Sequence, residues 1–281
     1  MDSLLRNIEG KIYAVIGYPL DQTLSPLIHN LGFKSLNLAA TYIKLPIEPK
    51  NLADFVQKMR LRPISGCSVT IPHKQNIISY IDKLTPSAQK ISAVNTLFWQ
   101  NGQLCGDNTD MAGFLDPLKD LDLKELSVLV LGAGGAARAC VCGLDSCQVR
   151  EIYLTTQSNK NHLALAKEFG CTPIPWEDRY HAPVDMVVNA TPLGMHGQFV
   201  DQNPYDFSKL TESLRPQIAY DIVYNPLETL FLRKAAQTSA KTISGFQMFL
   251  AQANAQFHLW TGENLPPDTK DVLRAALNAS S

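Results

Sequence analysis

Two polar clusters and one glycine turn hold the residues of this chain that could do chemistry. Cys67-Ser68-Val69-Thr70-Ile71 reads as a strand that runs into Pro72-His73-Lys74 and a helical stretch reaching about Ile81. Proline suits the first turn of a helix, where its missing N–H has no partner to lose. Lys74 is therefore expected near a helix N-terminus, whose partial positive charge disfavours a second one on the ammonium. A lysine so placed can pass a proton in a reaction. Downstream lies Asp107-Asn108-Thr109-Asp110, in which Asp110 can cap the following helix, act as a catalytic carboxylate, or both. Then Gly132-Ala133-Gly134-Gly135-Ala136-Ala137 follows the apolar run Val128–Leu131. Gly-x-Gly-x-x-Ala between a strand and a helix is the context of a dinucleotide turn. Its glycines admit a pyrophosphate, and the helix N-terminus stabilises the negative charge.

These clusters are carried by alternating strand-like and helix-like stretches. Lys11–Ile16 reads as a strand, and Ser25–Asn37 as a helix with Ser25 as N-cap before Pro26. Thr41–Pro46 is a strand, Leu52–Met59 a helix and Ile64–Ile71 a strand. Ala93–Gln100 and Gln103–Gly106 flank Asn101-Gly102, a strong hairpin signal. A second α/β series starts near Met111. Its strands fall at Val128–Leu131, Ile152–Leu154, Met186–Val188 and Ile218–Val223. Its helices fall at about Ala136–Leu144, Leu163–Phe169 and Leu227–Gln237. Two helical stretches close the chain, about Phe246–Trp260 and Asp268–Asn278, with no strand between them.

With 281 residues, two domains are expected. The net charge is -1 and no long basic run occurs, which argues against a nucleic-acid surface. The first residues do not read as a signal peptide, and no apolar run reaches a membrane span of ~18 residues. The six cysteines form no Cys-x-x-Cys pair and stand with no histidine cluster, so no metal site is expected. They read as packing residues of a reducing cytoplasm.

The ordered set of motifs resembles the shikimate/quinate dehydrogenase family over nearly the whole chain. It comprises Gly17-Tyr18-Pro19, Thr23-Leu24-Ser25-Pro26, Val69–Lys74, Ala93-Val94-Asn95-Thr96, Asp107–Asp110, Gly132–Ala136, Asn189-Ala190-Thr191, Asp221–Pro226, and Gly245 through Gln252. The resemblance implies an α/β substrate domain over 1–110, a Rossmann-type dinucleotide-binding domain over 111–243, and C-terminal helices over 244–281 packing back on the first. It implies reversible reduction of 3-dehydroshikimate to shikimate with NADPH, in a cytoplasmic monomer or homodimer. Lys74 and Asp110 would be the catalytic pair. Thr23 and Ser25 would bind the substrate carboxylate, Thr70, Asn95, Tyr224 and Gln252 the ring hydroxyls or the carboxylate, and Asp110 a substrate hydroxyl. Gly132, Ala133, Gly134, Gly135, Ala136, Thr156, Gln157, Ser158, Ile222 and Gly245 would line the cofactor.

The residue chemistry agrees. A small polyhydroxylated acid needs donors and acceptors at set angles, which Asn, Gln, Thr and Tyr supply. Reducing a ketone needs a proton on the developing alkoxide, and Lys74 can donate it while stabilising the charge. The sequence departs from the family at Thr23, usually serine; at Ser68, usually asparagine; at Gln247, often glycine; and at Thr156-Gln157-Ser158 with Asn161, where arginine is common. That second-strand end has no carboxylate to repel a 2′-phosphate and no guanidinium to grip it. NADP is expected, with NAD as the alternative in a quinate/shikimate dehydrogenase. A third reading is a non-catalytic metabolite sensor. His73 adjoins Lys74, but neighbours on a helix point about 100° apart, so it is read as non-catalytic.

Overall fold

The computed structural model describes residues 8–20, 23–61, 64–158, 160 and 162–279. The chain forms two compact units. One comprises the residues up to Thr109 together with Gln252–Ala275; the other comprises Asp110–Ala251 and the chain from Ala276 on.

The first unit is built on a six-stranded sheet. Its strands are β1 (Lys11–Gly17), β2 (Ala40–Pro46), β3 (Ile64–Val69), β4 (Lys83–Leu84), β5 (Thr96–Gln100) and β6 (Gln103–Asp107), in the order β2-β1-β3-β5-β6-β4. β1 pairs parallel with β2 and β3, whereas β5 runs antiparallel to β3 and β6. The Asn101-Gly102 turn works as its composition demands: Gln100 faces Gln103, and both turn residues have positive φ. Alternation along β1 sends Tyr13 and Val15 to one face and Ala14 and Ile16 to the other. The first face packs Phe33 of α1 (Ser25–Ser35) and Phe257. The second packs Phe55, Val56 and Met59 of α2 (Leu52–Leu61). A short helix, α3 (Pro86–Ile91), is capped by the Thr85 hydroxyl.

The second unit opens with α4 (Asp110–Leu115). It then alternates β7 (Ser127–Leu131), α5 (Gly135–Ser146), β8 (Glu151–Thr155), α6 (His162–Phe169), β9 (Thr172–Pro173), β10 (Met186–Asn189), β11 (Ile218–Asp221), α7 (Leu230–Ala236) and β12 (Lys241–Ser244). All six strands are parallel, in the order β12-β11-β10-β7-β8-β9. That is the doubly wound order, with its switch point between β7 and β10. β7 is buried on both faces. Val128 and Val130 pack on α5, and Leu129 and Leu131 pack with Phe231 and Leu232 of α7.

Two final helices follow, α8 (Gly245–Thr261) and α9 (Thr269–Ala279). The division between units falls inside α8: Gly245–Ala251 go with the second unit and the helix from Gln252 with the first. Three edge strands escaped the sequence reading. β4 and β9 have two residues each, too few to show a period, and β12 buries a single apolar side chain, Ile243. Among the described residues no helix is long and apolar enough to cross a membrane.

Phe257 tests how α8 serves the first unit. Its ring is fully buried against Phe33, at 5.3 Å between centroids. Phe257→Ala is expected to cost about 3–5 kcal/mol of stability in urea unfolding, the range for deleting a buried aromatic ring.

Candidate active site

In the first unit the ends of β1 and β3 are stitched together. Thr70 N–H donates to the Ile16 carbonyl (2.9 Å), and Tyr18 N–H donates to the Ile71 carbonyl (2.9 Å). Thr70 and Lys74 are both partly exposed beyond this stitch. Lys74 does not begin an α-helix, which corrects the sequence reading. His73 N–H bonds back to the Thr70 carbonyl (2.9 Å), closing a turn, and only a 3₁₀ stretch, Asn76–Tyr80, follows. The Lys74 carbonyl accepts from Val94 N–H (2.7 Å), a partner outside any helix. Lys74 is thus tied to the segment leading into β5 and does not stand at an α-helix N-terminus. His73 is fully buried and its Nε2 lies 2.6 Å from the Ile47 carbonyl. It faces the interior of its unit.

Thr23 and Ser25 adjoin. Their hydroxyls are 3.1 Å apart, and Thr23 Oγ1 accepts from Ser25 N–H (3.2 Å). Leu24, not Ser25, occupies the cap position of α1, and no side chain caps the helix, which corrects the expected Ser25 cap. Asn95 is 2% exposed and its amide is held by Thr109. Oδ1 accepts from Thr109 N–H (2.9 Å) and Nδ2 donates to Thr109 Oγ1 (2.9 Å). Thr109 Oγ1 in turn donates to the Gln252 carbonyl (3.1 Å). Thr70, Lys74, Asn95 and Gln252 therefore belong to one unit, with Thr23 and Ser25. Ser68 turns its hydroxyl to Tyr42 and Gln256, a use the sequence did not signal.

In the second unit the glycine turn leaves β7 as the motif requires. Gly132 has φ of 119°, and a Cβ there would meet the Ala190 carbonyl at 2.7 Å. Its N–H donates to the Thr155 carbonyl (2.8 Å). A Cβ on Gly134 would meet nothing within 4 Å, so the backbone is bare at the start of α5. A bare turn at a helix start could hold a pyrophosphate, and Ala133, Gly135 and Ala136 lie in the same stretch. At the end of β8, Gln157 and Ser158 are exposed, whereas Thr156 is buried and lies 3.3 Å from His162 Nδ1. Burial holds the His162 imidazole below its ordinary range. Asn161 lies outside the described residues. Arg138 is committed elsewhere: it pairs with Glu168 and sits over Phe169 at 5.7 Å.

A buried polar pin holds the loops after β10 and β11. Asp221 is fully buried and accepts from Thr229 Oγ1 (2.5 Å), Val223 N–H (3.0 Å) and Asn189 Nδ2 (3.0 Å). Asn189 also donates to the Leu193 carbonyl (2.9 Å) and accepts from the Thr191 N–H and hydroxyl. The pin sets the segment bearing Ile222 and Tyr224. The Tyr224 ring stacks on Phe249 at 4.2 Å, and Gly245 packs against the Ile222 carbonyl with no room for a Cβ. Asp110 starts α4, 5% exposed, and Phe114 of the same helix stacks on Tyr220 at 5.0 Å. The pin was recognisable in the sequence only as two apolar strands, Met186–Asn189 and Ile218–Asp221, that each end in a polar residue. Among the described residues no three His, Cys, Asp or Glu side chains are placed to hold a metal.

A parallel doubly wound sheet with this turn, joined to an α/β unit carrying a lysine among hydroxyls and amides, defines a dinucleotide-dependent oxidoreductase. Residues 15–97 match the family model described as the shikimate dehydrogenase substrate binding domain. A protein of Pelobacter propionicus named shikimate dehydrogenase (NADP(+)) is 45% identical over 96% of this chain and 97% of its own. Shikimate 5-dehydrogenase of Thermus thermophilus, solved with NADP(H) and shikimate, has a TM-score of 0.80 and 33% identity, over 95% of this chain and 99% of that one. Shikimate 5-dehydrogenase of Listeria monocytogenes, solved with shikimate and NAD, has a TM-score of 0.81 and 30% identity, over 94% and 96% of the two chains. The chain belongs to the shikimate dehydrogenase family.

The pin makes stability depend on pH. Burial pushes the Asp221 carboxyl from 3.8 up to about 7, against the pull of its three donors. The folded protein therefore keeps a proton that the unfolded chain releases between about pH 4 and 7. The contribution is whole below about pH 4 and is lost as pH rises through about 7. Asp221→Asn is expected to flatten this part of the profile. Calorimetry at about pH 5 and 8 should show the wild-type Tm falling more than the variant's.

Proposed function

We propose that this chain catalyses the reversible, NADPH-dependent reduction of 3-dehydroshikimate to shikimate, with Lys74 and Asp110 as its catalytic pair. The observation that carries the reading is the Thr70–Lys74 turn, which holds an ammonium and a hydroxyl in the unit of the buried Asn95 amide. It does so in a chain whose full-length relatives are named for this reaction. The residues of the glycine turn fit a pyrophosphate, and the bound cofactor supplies the hydride. The chain's own residues bind and orient the substrate and move the proton. Thr23 and Ser25 receive the carboxylate through hydroxyl donors, and Thr70, Asn95, Tyr224 and Gln252 contact the ring oxygens. Lys74 donates the proton to the developing alkoxide and stabilises its charge as it forms. Asp110 holds a neighbouring substrate hydroxyl. The enzyme works in the cytoplasm as a monomer or homodimer.

Turnover of shikimate and of quinate, each with NADP and NAD, tests the reading directly. Shikimate with NADP is expected to be the fastest pair, and no turnover with any pair would leave a sensor. Lys74→Ala is expected to lower kcat roughly 10²–10⁴-fold with little change in KM. His73→Phe is expected to lower Tm, since it removes the bond to the Ile47 carbonyl, yet to keep kcat.

The exposed Gln157-Ser158 end supports a second reading, in which NAD is also accepted. Neither residue repels or grips a 2′-phosphate. Gln157→Arg is expected to raise the kcat/KM ratio of NADP over NAD through paired, charge-assisted bonds to phosphate. Gln157→Asp is expected to lower it through repulsion. An unchanged ratio in both variants would place Gln157 away from the ribose.

A further inference from the structure

Gln256 lies one turn beyond Gln252 on α8, on the same helix face, and is 2% exposed. Both ends of its amide are used. Nε2 donates to the Asn95 carbonyl (3.1 Å) and to Thr96 Oγ1 (2.9 Å). Oε1 accepts from the Ser68 hydroxyl (2.8 Å), which itself accepts from the Tyr42 hydroxyl (2.6 Å). Thr96 Oγ1 then donates to Asn95 Oδ1 (2.7 Å). A single one-directional chain of hydrogen bonds thus runs from Tyr42 through Ser68, Gln256 and Thr96 to Asn95, and every member is buried.

Direction matters in this chain. Ser68 spends its proton on Oε1, so the Gln256 amide can be turned only one way, with Nε2 toward Asn95 and Thr96. Thr96 then has its proton left for the Asn95 side chain. In a dry interior each bond strengthens the next, and a member left unpaired is costly. Tyr42, Ser68 and Thr96 stand on three different strands, and the amide that joins them comes from a helix far along the chain.

We propose that Gln256 is a positioning residue for the substrate. It adds a second donor at the Asn95 carbonyl beside the Val69 N–H (2.7 Å) and, through Thr96, a second donor at Asn95 Oδ1 beside the Thr109 N–H. It thereby sets the direction in which Asn95 meets a ring hydroxyl, without touching the substrate itself. The inference rests on the reading of Asn95 as a substrate contact in a shikimate-reducing enzyme.

Steady-state kinetics with shikimate and NADP tests it on Gln256→Met, Gln256→Glu and Asn95→Ala beside the wild type. Gln256→Met keeps the length and removes both hydrogen-bonding ends. The shikimate KM is expected to rise about ten-fold, with kcat and the NADP KM nearly unchanged. Gln256→Glu keeps a donor only while its carboxyl is protonated, a form that burial favours. Its shikimate KM is expected to lie near the wild-type value at low pH and to climb with pH beyond the wild-type trend. The titratable neighbours are Tyr42 and His29, whose ring stacks on Tyr42 at 4.5 Å and is held neutral by burial down to about 3. An unchanged shikimate KM in folded Gln256→Met, or an equal rise in both KM values, overturns the proposal. If that variant does not fold, a Gln256→Glu profile parallel to the wild type overturns it. An unchanged KM in Asn95→Ala overturns the reading of Asn95 itself, and an inactive wild type overturns the proposed reaction.

Discussion

A buried polar group must keep its hydrogen bonds, and the first unit is arranged around that constraint at Asn95. Its amide is 2% exposed, yet Thr96, Thr109 and Gln256 bond its carbonyl and both ends of its side chain. Those partners come from β5, from the end of the unit's main segment, and from a helix that returns much later in the chain. Removing the Thr109 hydroxyl would take the partner of Asn95 Nδ2 in a dry interior, at a cost of about 1–3 kcal/mol. The same rule explains why α8 belongs partly to this unit. Its aromatic face fills the space beside Phe33, and its Gln256 completes polar bonds that the sheet cannot make alone.

The second unit meets the same constraint with a charge-capable group. Asp221 ends an apolar strand and receives three donors, which join the loops after β10 and β11. Burial favours its neutral form and the donors favour its charged form, and burial prevails. The loops so joined carry Thr191, Ile222 and Tyr224 at the carboxyl ends of the strands, where ligands of doubly wound sheets bind. The turn after β7 needs glycine at Gly132, and the pin needs a buried acceptor at Asp221.

The end of β8 is more exposed than the turn and the pin. Gln157 and Ser158 stand at the surface, where a substitution alters a contact without disturbing a core. Thr156, their neighbour, is committed to the interior beside His162. Arg138, the other cation close in sequence, is engaged by Glu168 and Phe169.

The sequence by itself determined the alternation of elements, the two-part α/β architecture, the glycine turn and the family. Each of these is local: an apolar run, a Gly-x-Gly-x-x-Ala spacing, an Asn-Gly turn, or a motif in order. It misplaced Lys74 on a helix because Pro72 is as compatible with a turn as with a first helical turn. The choice was made by Val94, whose N–H takes the Lys74 carbonyl from roughly six helical turns away in sequence. It likewise read Ser25 as a cap, although the neighbouring Thr23 hydroxyl takes the Ser25 N–H. The chain through Ser68 and Gln256 and the pin at Asp221 were out of its reach for the same reason. Hydrogen bonds between residues far apart in sequence leave no periodic signal. Only the tertiary structure decides which buried donor meets which acceptor.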